Sequence, residues 1–543
     1  MKKKLVALIL TAVMLGSMLT GCGSGQPDSG AAAAEDTAED SSDAEAAEAT
    51  EKNTEGTAEE AAGEIPVITI WSSWAEMTDL YPDQGDVPFW LAVEEATGVD
   101  LQFIDSTGGA ESLSILIGTN DLPDIVIDRS DNLPGGIHQQ LQQGNIIALN
   151  EAMDAGYMPN LKAYMEANEE VDKLSKNDEG LYPWAPMIRG EDSYLVFAGN
   201  LIRQDWLDEL GLEEPKTLQE LEDILVAFKE QKGCDTGYAP AWGSYDLMVN
   251  TFGIDEEMYV GADGKVHFGP VEDGYLDFLT LFNRWYGMGI LDPDAFTQGI
   301  DSFYAKMASD RTGVVYGYTG STLNQVEAMK AEHPEMDYQP ISHPVLNEGD
   351  AFPYDRSEYR VAGSIGAMIS DNCENVEAAA RVIDYLYSDE GYILTNFGVE
   401  GITYEVTDGE YSFTDFVNNN PDGLSSTIAL SIYAGNANKA FIVDGTAQKL
   451  GYSLDVQKKS LDVWAAEGDA KELPLLSLTP EESEEYTAIY NEVKTYVDEF
   501  KLKFIFGTEP LENFPKFVEN IRNMNIDRAI EIQQAAYDRY LAR

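Results

Sequence analysis

Four of the eight tryptophans fall in stretches whose local pattern reads as loop. Trp71 and Trp74 follow an apolar strand, Trp184 sits in Tyr182-Pro183-Trp184-Ala185-Pro186, and Trp242 sits in Ala239-Pro240-Ala241-Trp242-Gly243. Tyr318 shares one face of a strand with Tyr316 and stands nearest the loop that follows. An aromatic plate covers a flat apolar face of a ligand at low ordering cost, because the side chain is rigid. Carboxylates and guanidinium groups beside such plates bond hydroxyls and fix orientation. Asp128 at a strand end, Glu400 within Asn396-Phe397-Gly398-Val399-Glu400-Gly401, and Arg356, one of few cations in its region, are the candidates for that role. Plates and hydroxyl-bonding groups together suit a ring-shaped, hydroxylated guest such as a sugar. Each residue also has a plainer use: a tryptophan packs beneath its loop, Asp128 caps a helix, Glu400 is a solvated turn carboxylate, Arg356 forms an ordinary ion pair. Trp90, Trp206 and Trp285 sit at helical spacing and read as core.

No motif for catalysis accompanies these residues. There is no nucleophile elbow, and His138, His267, His333 and His343 form no His-x-His or His-Glu-x-x-His pair, so no catalytic residue, cofactor or metal centre is expected. Cys234 and Cys373 are too few and too far apart for a disulfide framework and read as buried thiols. A hydrolase working on glycans would need only two carboxylates roughly 5 to 10 Å apart, and a chain this acidic offers many.

The elements that must position these residues alternate in type. Val67-Ile68-Thr69-Ile70-Trp71 is rich in β-branched residues and reads as a strand. Pro88 to Thr97 reads as a helix closed by Gly98, followed by strands at Val99 to Ile104 and Asp124 to Ile127 with a helix at Ser112 to Ile117 between them. Alternation of this kind predicts a parallel sheet with right-handed crossovers. Ligands then sit beyond the carboxyl ends of the strands, which points to the loops 71–76 and 128–131. Further on, Asp263-Gly264 reads as a hairpin turn, Gly274 to Tyr286 as an amphipathic helix, Gly313 to Tyr318 as a strand, and the tail beyond Thr479 as mostly helical, with Pro480 following its cap.

The chain opens Met1-Lys2-Lys3-Lys4, runs apolar from Leu5 to Leu15 and reaches Leu19-Thr20-Gly21-Cys22. That is the layout of a secretory signal, and the last four residues resemble a bacterial lipobox, which implies acylation at Cys22 after cleavage. Residues 23–64 hold thirteen acids and one lysine with no aromatic residue. Such a segment buries too little apolar surface to offset chain entropy, so it reads as a disordered, charge-extended tether. The remainder from Ile65, about 480 residues, is too long for a single core and predicts at least two lobes. The chain carries 97 acids against 34 bases, a formal charge of −63. A field of that sign excludes nucleic acid and anionic membrane surfaces as partners and disfavours acidic sugars unless a local basic cluster overrides it.

Five stretches, in order along the folded part, resemble the family 1 extracellular solute-binding proteins, in particular the long LplA-like lipoproteins. They are Arg203-Gln204-Asp205-Trp206-Leu207-Asp208-Glu209-Leu210-Gly211-Leu212 with Pro215-Lys216-Thr217; Tyr286-Gly287-Met288-Gly289-Ile290-Leu291-Asp292-Pro293; Ser388-Asp389-Glu390-Gly391 running on to Asn396 to Gly401; Phe504-Ile505-Phe506-Gly507-Thr508-Glu509-Pro510-Leu511; and Ala535-Ala536-Tyr537-Asp538-Arg539-Tyr540. The resemblance implies an α/β fold of the periplasmic-binding-protein-like type II class: two α/β lobes, a hinge, an interlobe cleft and a helical C-terminal part. The expected division is residues 1–22 as signal and lipobox, 23–64 as tether, 65–190 with about 345–388 as lobe 1, and about 191–344 with 389–543 as lobe 2. It further implies a monomeric, non-enzymatic receptor on the outer face of the cell membrane, held by its lipid anchor, which delivers a carbohydrate, in particular an oligosaccharide, to the permeases of an ABC importer. A receptor for peptides or other polar solutes, or a lipid-anchored glycoside hydrolase, are the alternatives. Relatives often carry a calcium loop after the helix that ends here near Lys229. This chain reads Gln231-Lys232-Gly233-Cys234-Asp235-Thr236-Gly237 and lacks the alternating oxygen ligands, so no calcium is expected there.

Overall fold

The computed structural model describes residues 65–73, 81, 83–190, 195–241, 246–421, 424, 426–434, 439–452, 454–465 and 468–543. The expected signal, tether and Cys22, together with Trp74 and Trp242, lie outside the described residues.

Two α/β bodies are built around separate sheets. In the first, β1 (Val67–Ser72), β2 (Asp100–Ile104), β3 (Ile125–Arg129), β4 (Ala185–Arg189), β12 (Val361–Ile369) and β15 (Ile442–Val443) lie in the order β15-β4-β12-β3-β1-β2. β1 runs parallel to both β2 and β3, as the alternation requires, and the helices Pro88–Thr97 and Gly109–Thr119 make the crossovers. Proline at the first turn and Gly98 in a left-handed C-cap bound the first of these helices. The sheet is mixed, however, because β12 runs antiparallel to both β3 and β4. β12 enters from the other body, and so arrives from the opposite end.

The second sheet has the order β10-β5-β9-β6, from β5 (Ala198–Arg203), β6 (Gly237–Pro240), β9 (Thr312–Tyr318) and β10 (Tyr338–Pro340). Helix Leu218–Lys232 packs behind it, started by a reciprocal capping box between Thr217 and Glu220. The hairpin expected at Asp263-Gly264 joins β7 (Met258–Val260) to β8 (Val266–Phe268), with Gly264 at a positive φ. A small sheet adds β11 (Tyr354–Asp355) and β16 (Ala470–Glu472) to that hairpin, in the order β11-β16-β7-β8. The remaining pair is β13 (Tyr404–Thr407) with β14 (Glu410–Phe413). The tail is helical at Pro480–Ile505, Phe514–Asn523 and Ile526–Ala542, and a second capping box, Thr479 with Glu482, opens it.

The two cores divide the chain differently from the expected split. Leu394, Ile432, Ala440, Phe441 and Ile442 lie in the first core, and β15 pairs with β4 on the edge of the first sheet. Parts of the stretch from 389 to 443, expected in the second lobe, therefore return to the first, while Phe397, Tyr404, Phe413 and Val417 form a small cluster of their own. An edge strand left bare exposes a row of unpaired backbone groups, and β15 covers it. The segments that pass between the bodies join β4 to β5, β10 to β12 and β15 to the helix Asp455–Trp464, with a further passage near 473–479. The last helix also bridges them: Ala529 packs in the second core, whereas Tyr540 packs in the first.

Candidate solute cleft

The carboxyl ends of β1 and β3 in the first sheet and of β9 in the second meet the passing segments, and a continuous band of polar and aromatic side chains forms there. On the first side, Asp128 is fully buried at the end of β3, and Asn132 Nδ2 donates to its two carboxylate oxygens at 3.1 and 3.1 Å. Burial pushes the Asp128 carboxyl above its usual range, with hydrogen bonds from Arg129 N–H, Ser73 and Asn132 pulling the other way. Arg129 beside it reaches Asp131 at 2.9 Å and also feels the charge of Glu358.

Glu358 accepts from Arg189 Nε at 3.0 Å and Nη2 at 2.6 Å. The pair joins the end of β4 to the segment that returns from the second body. Its backbone is braced too: Arg189 N–H donates to the Arg360 carbonyl at 2.7 Å and Glu358 N–H to the Leu195 carbonyl at 3.0 Å. The Arg189 guanidinium lies 5.2 Å over the Phe197 ring, within cation–π range. Phe197 faces Tyr318 at 6.4 Å with a 30° tilt, and Tyr318 meets Tyr316 edge-on at 6.0 Å. Arg356 donates to the Tyr316 hydroxyl at 2.8 Å and to Asn250 Oδ1 at 2.5 Å. Tyr452 adds a further half-buried ring: Arg189 acts on its phenol electrostatically, and its edge lies 3.9 Å from where a Cβ on Gly320 would stand. At the Arg356 end the band opens into a cavity of about 340 Å³ lined by Asn250, Asp255, Tyr354, Asp355, Arg356 and Glu472.

The arrangement offers ring faces and polar groups that can bind a solute. Arg129 and Arg189 are neutralised by Asp131 and Glu358, and the cavity wall is acidic apart from Arg356. Phe197, Tyr318 and Tyr452 are half-buried and keep ring surface available. Such a lining suits a neutral guest that offers hydroxyls to carboxylates and amides and apolar faces to rings.

The expected site residues divide three ways. Asp128, Tyr318 and Arg356 stand in the band. Trp71 and Trp184 do not offer a face to it: both are 0% exposed and sit in the first core. Trp71 lies on the central strand of three consecutive parallel neighbours, where both faces are covered. Trp184 packs on β12 where a glycine makes room, since a Cβ at Gly366 would lie 2.7 Å from its ring. Glu400 is exposed beside the β13–β14 hairpin, and no contact among the described residues ties it to the band. Four members, Arg189, Phe197, Glu358 and Tyr452, were not expected, nor was Trp464. Trp464 is fully buried against Gly199, donates from Nε1 to the Asn200 carbonyl at 3.2 Å, and accepts at its own carbonyl from His343 at 2.7 Å. A signal for Arg189 was present in the sequence: it ends the run Met187-Ile188-Arg189, a strand hidden by Pro183 and Pro186.

In the turn Gln231 to Gly237 the chain's own charges pair. Arg311 Nε donates to Asp235 at 2.8 Å, Lys232 pairs with Glu209, and the buried Cys234 thiol donates to the Arg311 carbonyl at 3.0 Å. Cys234 and Cys373 are both free and buried.

Residues 92–393 match the model of a family described as bacterial extracellular solute-binding protein. The fructooligosaccharide ABC transporter substrate-binding protein FusA of Streptococcus pneumoniae is 26% identical over 336 residues, which cover 57% of this chain and 59% of FusA. Lipoprotein LipO of Bacillus subtilis is 26% identical over 360 residues, covering 61% of this chain and 66% of LipO. The alignments thus span about three-fifths to two-thirds of these relatives. Among solved structures, the alginate-binding protein AlgQ2 without calcium ion superposes with a TM-score of 0.73 at 21% identity, over 88% of this chain and 98% of AlgQ2. FusA in complex with kestose gives 0.68 at 20% identity, over 88% and 99%. At these identities the superpositions establish a shared fold.

Proposed function

The chain belongs to the bacterial extracellular solute-binding proteins, and from that premise we propose that it captures an oligosaccharide between its two α/β lobes and delivers it to the permeases of an ABC importer. The observation that carries this reading is the run of half-buried rings and paired charges from Arg189 through Phe197 and Tyr318 to Arg356, at the carboxyl ends of strands from both sheets. The names of the relatives, a fructooligosaccharide-binding importer component and a lipoprotein, support the same solute class and the same anchoring. Lipidation at Cys22 and an outward-facing, membrane-tethered location fit the Leu19–Cys22 lipobox and the acidic segment behind it.

In this mechanism the rings cover apolar sugar faces, the cavity carboxylates accept from hydroxyls, Asp128 braces the end of β3 from beneath through Asn132, and no bond is made or broken. Closure is a hinge movement absorbed in the few passing segments. A neutral saccharide is favoured over an acidic one because the two cleft arginines nearest the first sheet already hold carboxylates. A thermal-shift screen of the purified chain against neutral oligosaccharides, uronate oligomers and peptides tests the reading. Ligand binding raises the unfolding temperature by mass action, so a response confined to neutral oligosaccharides, with no new reducing ends released, is the expected result. A response to peptides alone, or release of cleaved sugars, overturns it.

A further inference from the structure

Outside the cleft, three potential metal donors converge at the opposite end of the second sheet. Asp310 precedes β9, while His333 and Glu335 lie in the loop before β10, and one donor atom from each falls within 4.8 Å of the others. Both strands flank β5, whose last residue, Arg203, completes the group. We propose that Asp310, His333 and Glu335 form a binding site for a divalent transition-metal ion, with Zn²⁺ as the representative ion.

The geometry distinguishes this cluster from an ordinary surface ion pair. His333 Nδ1 and Glu335 Oε1 stand 3.8 Å apart, beyond hydrogen-bond reach. Two donors on one tetrahedral zinc lie roughly 3.4 Å apart, given zinc–ligand distances near 2.0 to 2.2 Å. Rotation of the exposed Glu335 side chain is enough to close the difference. At His267, in contrast, Nδ1 is 2.7 Å from Glu272 and Nε2 is 2.9 Å from Asp263, so both nitrogens already have short contacts and no gap is left for an ion.

Arg203 does not block the site. Its Nη1 bonds only Asp310 Oδ1, and its remaining charge is met by Asp205 through Nε at 2.8 Å and Nη2 at 2.6 Å. The local balance of Asp205, Asp310 and Glu335 against one arginine favours a cation, as does the charge of the whole chain. An imidazole with two carboxylates fits a borderline ion such as zinc, whereas calcium takes six to eight oxygens. The sequence gives no motif because the ligands come from two segments that only the sheet brings together. A bound ion would brace the starts of β9 and β10, already linked by the Tyr338 hydroxyl donating to the Thr312 carbonyl at 2.7 Å. The solute end of β9, at Tyr318, lies at the other end of the strand.

The test is calorimetric titration of the chelator-treated chain with Zn²⁺, followed by thermal unfolding with and without the metal. One equivalent should bind and raise the unfolding temperature. His333→Ala and Glu335→Gln should each weaken binding at least tenfold, whereas His267→Gln should bind as the parent does. Glu335 is exposed and its substitution leaves the fold alone, so that arm is read independently of any effect of His333→Ala on stability. Absence of stoichiometric binding, or binding unchanged by both His333→Ala and Glu335→Gln, overturns the proposal.

Discussion

The core of the first body and the strand ends beside the passing segments treat their aromatic residues in opposite ways. In the first, Trp71 and Trp184 are sealed into the core with their indole nitrogens lacking partners among the described residues. In the second and along the passing segments, Phe197, Tyr318 and Tyr452 remain half-buried beside Arg189 and Gly320. A ring with no exposed face stabilises the fold, and a ring with one face covered is free to serve a ligand with the other. Position in a loop does not decide between them; the residue across the sheet does. Gly366 opposite Trp184 removes the one side chain that would have pushed the indole outward.

Truncation at the sealed side should have the largest effect. Trp184→Ala should cost about 4 kcal/mol of stability, the range for removing a buried aromatic side chain, measured as a shift of the urea midpoint. A loss below about 1 kcal/mol accompanied by lost solute binding would break the comparison, because Trp184 would then be a ligand platform.

Sealing has a second consequence at His138, which is buried in the first body with neither ring nitrogen bonded among the described residues. Burial, and secondarily Arg543, lowers its pKa from 6.5 to about 4, with Asp178 opposing. The unfolded chain therefore binds a proton that the folded chain refuses, so stability is complete above pH 6.5 and falls as pH drops toward 4. The group accounts for about 3 kcal/mol over that window. His138→Leu should flatten the acid limb of the stability curve by that order; an unchanged limb would show that His138 is not sealed.

On the open side, Tyr318→Ala should weaken solute binding by about 10- to 30-fold, or 1.4 to 2 kcal/mol, and move the ligand-free unfolding temperature little. Large destabilisation without ligand would place Tyr318 on the sealed side. The smallest effect is expected at Glu400: Glu400→Ala should change stability and affinity by less than about 0.5 kcal/mol, and a larger loss of affinity would extend the site to the β13–β14 hairpin.

How much of this was legible in the sequence follows from the same contrast. Features set by neighbours along the chain were readable: the β-branched run at β1, the Asp263-Gly264 turn, and the threonine cap at 479. The places of Asp128 and Tyr318 at strand ends and of Arg356 in a loop were readable, and the structure brings all three to the same band. Features set by distant partners were not. β4 reads as a loop because of its proline, yet Pro186 is tolerated where it stands. Ile188 N–H points to the Phe441 carbonyl on the β15 side, so the missing N–H two residues earlier faces the same side, and β15 pairs only with Ile188 and Arg189. Once that strand was missed, Arg189 at its end and the ring stacked on it were missed with it. The return of the chain to the first core at β15 has the same origin, since a two-residue strand has no periodicity to read.

The most direct test of the account is calorimetric titration of the purified chain with neutral oligosaccharides, comparing the parent with Tyr318→Ala and Trp184→Phe. One site is expected, with a dissociation constant on the order of micromolar or tighter, weakened at least tenfold by Tyr318→Ala and preserved in Trp184→Phe. Binding that survives Tyr318→Ala and disappears in a folded Trp184→Phe variant would contradict it.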